Sequence, residues 1–275
     1  MDIKKIISKI GRIFISLIIF LVFFIPFYWM VITSIKSLSE TLTFPPSFWV
    51  DKIQVENFTK ALSTGPFLQY TKNSFIVTFA TLILQFITII PAAYAFARYK
   101  FKGSKLMFGL IMVTMMIPAQ LIFLPVFIMF SKWKMVNSYF SLVIPFASSA
   151  FGIFMLRQSF MQVPQELLEA ARLDNSGEFK IMYKIMLPMA RPTLITLGLL
   201  TFIGTWNDYF WPLVLTTKNA MRTLPVGVAG IAQVDGGISY NILMAGSMIL
   251  IIPVLIIYFF AQKHIIKAFT YIGDK

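Results

Sequence analysis

An all-α membrane protein with six transmembrane helices is the fold class this sequence predicts, on three observations. Of its 275 residues, 58% are hydrophobic and only 13% charged, about half the charge of a soluble domain. Six apolar segments reach the roughly 20 residues that a helix needs to cross a bilayer. Lys and Arg are divided unevenly between the two sets of flanks those segments create.

The first segment, Ile13–Ile35, follows Lys4, Lys5, Lys9 and Arg12. Its apolar run is too long for a secretory signal, and no small-residue cleavage site follows, so it is expected to remain as an anchor. Residues 37–73, with Phe44-Pro45-Pro46, are too polar to cross. Ser74–Ala97, Leu106–Phe130 and Ser138–Leu156 are the next three spans. A long connection over 157–191 precedes Thr193–Thr217 and Ile242–Ala261. In lipid each span must be helical, because an unsatisfied backbone amide costs several kcal/mol there. The prolines within them (Pro26, Pro91, Pro118, Pro125, Pro145, Pro212, Pro253) are tolerated where neighbouring helices satisfy the freed carbonyls.

Counting basic residues orients the chain. With the N-terminus in the cytoplasm, residues 1–12, 98–105, 157–191 and the tail from 262 carry 16 of the 24 Lys and Arg, and the opposite side carries 8. That two-to-one bias predicts both termini inside. Residues 1–275 read as one transmembrane domain, with 157–191 a cytoplasmic loop within it.

Composition also excludes functions. There is no cysteine and a single histidine, His264, so neither a disulfide framework nor an imidazole metal site is expected. No Ser/His/Asp set or carboxylate pair lies in the spans, so no catalytic residue is assigned. The +13 net charge clusters at span ends, as orientation signals do, and does not suggest nucleic acid. No Gly-x-x-x-x-Gly-Lys-Ser/Thr loop is present, so the chain is not expected to bind ATP by that means.

The 157–191 loop has unusual content. Pro164 and Glu166 suit the first turn of a helix, and Leu167, Ala170, Ala171 and Asp174 fall at i, i+3, i+4 and i+7. Asn175 and Gly177 tolerate the left-handed conformation that ends a helix. Phe179, Met182, Tyr183 and Met186 repeat the helical spacing, and Pro188 is expected to stop the second helix. By residues alone this is a helix, a turn and a helix, packed either under its own bundle or against another surface.

Glu169-Ala170-Ala171, then Asn175, then Ile185-x-Leu187-Pro188 after nine residues, resembles the EAA loop of binding-protein-dependent ABC importers. Asn137-Ser138-Tyr139, Phe151-Gly152-Ile153, Thr205-Trp206-Asn207-Asp208-Tyr209, Thr223-Leu224-Pro225 and Met244-Ala245-Gly246-Ser247 resemble carbohydrate-type permeases related to the smaller maltose subunit. The resemblance implies a type I importer permease fold in a bacterial or archaeal plasma membrane, with Glu169, Ala170, Ala171, Asp174, Asn175, Gly177, Ile185, Leu187 and Pro188 forming the coupling site on an ATPase. Asn175 stands where the family pattern has glycine. The implied partners are a second homologous permease, two ATPase subunits that bind ATP and Mg, and an extracytoplasmic solute-binding protein. The implied solute is an oligosaccharide, with a sugar alcohol or glycerol phosphate as the alternative.

Asp208 is the only acidic residue within a predicted span. It lies 15 residues beyond Thr193, about 22 Å along a helix and so in the outer third of the membrane. Trp206, Asn207, Asp208 and Tyr209 are expected to line the solute path, against an interfacial aromatic belt as the plainer reading. Gln85 and Gln120, also within spans, fit hydrogen bonds between helices. A self-sufficient secondary transporter would rest on this one aspartate.

Overall fold

A computed structural model describes residues 3–232 and 238–270. Of the basic positions counted above, Lys4, Lys5, Lys263, Lys267 and Lys275 lie outside the residues whose side chains are described. The regular structure of the described residues is helical: α1 Ile3–Ser34, α2 Leu38–Leu42, α3 Glu56–Ser63, α4 Phe67–Arg98, α5 Ser104–Thr114, α6 Phe123–Lys132, α7 Tyr139–Val143, α8 Ala150–Met161, α9 Gln165–Leu173, α10 Glu178–Ile181, α11 Leu187–Met189, α12 Arg191–Trp206, α13 Phe210–Leu215, α14 Leu224–Ile231 and α15 Tyr240–Thr270.

Three helices are long and apolar enough to cross a membrane unbroken, at Ser8–Ser34, Phe67–Arg98 and Tyr240–Phe260. Three bent pairs complete the six spans when each pair is counted once. Residues 104–132 bend by 90°, 139–161 by 43° and 178–206 by 81°, the arm before this last bend belonging to the loop 157–191 and Arg191–Trp206 to the span. The helical spans read at Leu106–Phe130 and Ser138–Leu156 each contain a bend, whereas the 81° bend lies just before Thr193–Thr217, whose helix is interrupted at Asn207–Tyr209. Prolines set the breaks. Pro118 holds φ −59 and ψ 126 between α5 and a 3₁₀ turn at Ala119–Ile122, and a residue so placed cannot continue a helix. Pro145 lies in the 3₁₀ turn Ile144–Phe146 that ends α7. Ser149 then restarts the chain as α8, its hydroxyl accepting from Gly152 N–H at 3.1 Å. Pro192, in the first turn of α12, offers no N–H to the carbonyl of Pro188 four residues before it.

The loop helices also differ from expectation at Pro188. The helix does not stop there. A π-turn over Met182–Met186, in which Leu187 N–H reaches the Met182 carbonyl, widens the coil so that it passes through Pro188 and breaks at Ala190. A π-turn is the usual way to admit an extra residue without losing the backbone ladder.

The chain divides into two compact units, one of Met1–Phe67 with Gly227–Ile252 and one of Leu68–Val226 with Pro253–Lys275. In the first, α1 exposes every residue from 8 to 27, a largely apolar surface suited to a membrane. Its far end is tied by Asn57, whose side-chain amide donates to the carbonyls of Ser34 at 2.9 Å and Lys36 at 2.8 Å and accepts from Asn241 at 3.0 Å. Gly246 packs closely there: a Cβ on it would sit 2.6 Å from the tip of the Ile231 side chain, which would have to move.

In the second unit, Ile89, Leu156, Phe160, Leu168, Ile181 and Met186 form one buried cluster. A second gathers Val77, Phe130, Leu142, Trp211 and Leu215. Polar clamps close the loops beyond it. Asn137 takes φ 63 and accepts from the backbone N–H groups of Thr217 at 2.7 Å and Lys218 at 2.8 Å. The fully buried Asn73 donates to the carbonyls of Ala220 and Arg222 at 2.9 and 2.8 Å. The Asn-Ser-Tyr and Thr-Leu-Pro motifs thus serve loop closure, with Tyr139 donating to Asn73 at 2.7 Å and Leu224 N–H donating to Ser74 at 2.8 Å.

Candidate functional site

The first candidate is the helix–turn–helix of α9 and α10. Pro164 precedes α9 as its cap residue, and Asn175 follows in the left-handed region with φ 54. Asparagine suits that conformation because its short polar side chain tolerates it. Gly177 is extended instead, with φ −66 and ψ 156, so Asn175 alone makes the turn.

Of the face that spacing defines, α9 buries only Ala171. Leu168 is fully buried and Ala171 nearly so, whereas Leu167, Glu169, Ala170 and Asp174 are exposed. Leu173 is 83% exposed and Phe179 77%. In the following helix Ile181, Met182 and Met186 are buried, with Ile185 and Leu187 packed against them, while Phe179 and Tyr183 point outward. An apolar strip of Leu167, Ala170, Leu173 and Phe179 is therefore presented without cover within the unit. That strip is the candidate interaction surface.

The strip is held from behind by polar ties to α4. The Arg98 guanidinium donates to the carbonyls of Phe160 and Val163 at the end of α8 and, at 3.3 Å, to the Gln165 side chain that opens α9. The Tyr94 hydroxyl donates to Glu178 at 2.5 Å, and Arg172 pairs with the other oxygen of that carboxylate at 3.0 Å. These donors, the Arg172 guanidinium foremost and the Tyr94 hydroxyl next, hold the Glu178 carboxyl down at about 2. On α8, Arg157 donates to the Phe96 carbonyl at 3.1 Å and lies 4.3 Å from the centre of the Phe108 ring. Sequence reasoning read Arg98 and Arg172 as orientation charges. Glu178, immediately after a glycine in a first helical turn, was the available signal and was missed.

The second candidate is a cavity of about 280 Å³ in the same unit, whose polar lining comes from Gln85, Ser149, Thr201, Thr205 and Asp208. Gln85 donates to the Phe146 carbonyl at 2.9 Å and accepts from Thr201 at 2.8 Å, so it bonds between helices and also borders the cavity. Thr201, Thr205 and Asp208 recur at i, i+4 and i+7, a stripe that spacing could have revealed.

The four residues expected along the path are not brought together. α12 ends at Trp206, and Asn207–Tyr209 form the break before α13, so Asp208 is not inside a helix as the sequence reading had it. Its carboxylate accepts from Trp211 N–H at 3.3 Å, capping α13, and it alone of the four borders the cavity. Trp206 is fully buried, stacked on Phe202 at 5.7 Å and edge-on to Phe75 at 4.8 Å. Asn207 donates back to the Ile203 carbonyl at 3.0 Å, and Tyr209 is exposed. Among the described residues no group of His, Asp and Glu is arranged to hold a metal. Gln120 is exposed in the 90° break.

The model for the binding-protein-dependent transport system inner membrane component matches residues 89–271, more than half of the chain. The chain belongs to that family. As such it is the membrane-spanning permease of a binding-protein-dependent ABC importer, and not itself the ATPase. The permease is 34% identical over 235 residues to the arabinooligosaccharides transport system permease protein AraQ of Halalkalibacterium halodurans, covering 86% of this chain and 83% of that one. It is 30% identical over 228 residues to the sn-glycerol-3-phosphate transport system permease protein UgpE of Yersinia pestis, covering 82% and 81%. Its structure matches a bacterial ABC transporter involved in the import of the acidic polysaccharide alginate, with TM-score 0.80, 25% identity and coverage of 96% and 98%. The fold also matches a chain of an alginate transporter in complex with a pentasaccharide-bound periplasmic protein, with TM-score 0.70, 16% identity and 94% coverage of each.

Proposed function

We propose that this permease carries an oligosaccharide into the cell, driven through α9 by ATPase subunits on the cytoplasmic side, with both of its termini on that side. The observation that carries the reading is the exposed apolar strip of α9 and α10 anchored from behind to α4. The whole chain acts as one permease domain, with 157–191 its coupling loop. Glu169, Ala170, Ala171, Asp174 and Asn175 shape the surface that docks, and Gly177, Ile185, Leu187 and Pro188 set the helix behind it. ATP and Mg belong to two partner ATPase subunits, and a second homologous permease completes the path.

The mechanical argument follows from α4. It is a single helix of 32 residues, and Gln85 at the cavity lies 9 and 13 residues before Tyr94 and Arg98, about 14 and 20 Å along the axis. A push on α9 reaches Arg98 and Tyr94 through hydrogen bonds to charged groups, each held to about 1 kcal/mol by solvent screening. The helix then transmits that displacement to the cavity wall. The cavity is lined by hydroxyl, amide and carboxylate groups beside Phe146 and Phe151, a mixture suited to the hydroxyls and C–H faces of a sugar. Asp208 reads the solute there. The AraQ relative favours an arabino-oligosaccharide over glycerol phosphate, since a lining whose one charged group is a carboxylate repels a phosphate.

Proteoliposomes holding the complete importer and loaded with ATP test the substrate. Uptake of arabinotriose that requires both ATP and the binding protein is expected. Uptake of sn-glycerol-3-phosphate alone, or arabinotriose uptake without ATP, contradicts the assignment.

A further inference from the structure

Lys36 stands at the end of α1, just past the lipid-exposed span, and is only 2% exposed. Among the described residues no carboxylate lies within ion-pair distance of it. Its ammonium donates to the Ser47 carbonyl and sits 5.3 Å from the centre of the Trp29 ring. Glu40 lines the same cavity and acts on Lys36 electrostatically from beyond ion-pair distance, and the buried ammonium has three protons to donate. It lines a cavity of about 170 Å³ within the first unit, shared with Trp29, Thr33, Glu40 and Tyr240. That space is more than ten times the roughly 15 Å³ one water occupies.

Thr33 supplies the second observation. It is 5% exposed, it lines the same cavity, and its hydroxyl oxygen has no hydrogen-bond partner. Other polar groups in the wall are already engaged. Thr41 donates to the Leu38 carbonyl at 2.7 Å and Ser47 to the Trp49 carbonyl at 2.9 Å. Glu40 accepts from Ser37 N–H at 2.8 Å, the Ser37 hydroxyl at 2.7 Å and Asp51 N–H at 2.8 Å. A carboxylate has about four acceptor positions, so Glu40 keeps one for a cation.

The geometry points to a zwitterionic phospholipid head group as the occupant, its phosphate on Lys36 and Thr33 and its ammonium on Glu40. Charge complementarity selects the zwitterion: the wall offers one cation and one anion. Position selects a lipid, because the cavity lies where α1 leaves the membrane and α15 enters it, with Trp29 and Tyr240 placed as interfacial aromatics are. Phe44 and Trp49, 94% and 78% exposed on the adjoining segment, offer apolar side chains to acyl chains.

Native mass spectrometry of the complete importer, delipidated and titrated with dioleoyl phosphatidylethanolamine, tests this. One tightly held lipid per copy of this chain is expected, weakened about tenfold or more in Lys36→Met, as loss of a charge-assisted bond implies. Thr33→Val, which changes little volume, is expected to weaken it a few-fold, and Lys36→Arg to restore most of it. Retained ATPase subunits in each variant exclude misfolding as the cause. Phosphatidylethanolamine held equally by Lys36→Met and wild type, phosphatidylglycerol held more tightly than phosphatidylethanolamine, or displacement of the lipid by millimolar inorganic phosphate overturns the proposal.

Discussion

Tyr94 and Glu178, 84 residues apart in the chain, meet in a 2.5 Å hydrogen bond from hydroxyl to carboxylate. That contact joins a membrane-crossing helix to the turn that presents the exposed strip, and Arg172 secures the same carboxylate from the strip's own helix. A perturbation at α9 therefore has a defined route into α4.

Removing the hydroxyl weakens this route without disturbing the core. The Glu178 side chain is 42% exposed, so solvent screening limits the pair to about 1 kcal/mol, a roughly fivefold change in a coupled equilibrium. Tyr94→Phe is expected to lower uptake by about that factor while ATP hydrolysis continues. Equal loss of both activities would mean that the contact serves assembly alone.

The carboxylate also sets a pH dependence. Its folded value of about 2 lies below the ordinary 4.5, so its contribution is complete above pH 4.5 and disappears as pH falls toward 2. Wild type is expected to melt slightly above Glu178→Gln at pH 7, by an amount equivalent to less than about 1 kcal/mol, with the gap closing between pH 4.5 and 2. A gap that widens on acidification would contradict the assignment.

Asn175 holds a positive φ of 54. Asn175→Gly is expected to leave stability within about 0.5 kcal/mol, and Asn175→Val to cost about 1–2 kcal/mol, since a β-branched residue is strained there. Thermal melts of the assembled importer read the difference. Equal melting of the two variants would show that the turn does not need this conformation.

Asp208 caps α13 and borders the cavity, and two variants separate these roles. Asparagine is as good a cap, so Asp208→Asn is expected to keep stability and lose several-fold in uptake, whereas Asp208→Ala loses about 1 kcal/mol in addition. Full uptake by Asp208→Asn would leave the carboxylate with its capping role alone.

The spans, their order and the helix–turn–helix were legible because long apolar runs and turn residues act locally. The bends at Pro118 and Pro145 were not, because tolerated and breaking prolines look alike until neighbouring carbonyls are known, and Pro192 lies before the span that the sequence marks. Nor could spacing choose α9's buried face. With Leu167, Leu168, Ala170, Ala171 and Leu173 all apolar, two faces compete, and packing on Ile181 and Met186 selects Leu168. Trp206 was placed on the path because an aromatic face suits a sugar, yet Phe75 and Phe202 enclose it. Lys36 could not be distinguished from an ordinary flanking lysine until its burial was seen.

The chain has no cysteine, so one introduced at position 169 is unique. Crosslinking Glu169→Cys in the complete importer, with a short bifunctional reagent in inside-out vesicles, measures what α9 touches. A product joining this permease to an ATPase subunit, with its yield changing on ATP addition, is the predicted result. Labelling of that cysteine by a membrane-impermeant thiol reagent added outside intact cells, with no ATPase product, would contradict the account.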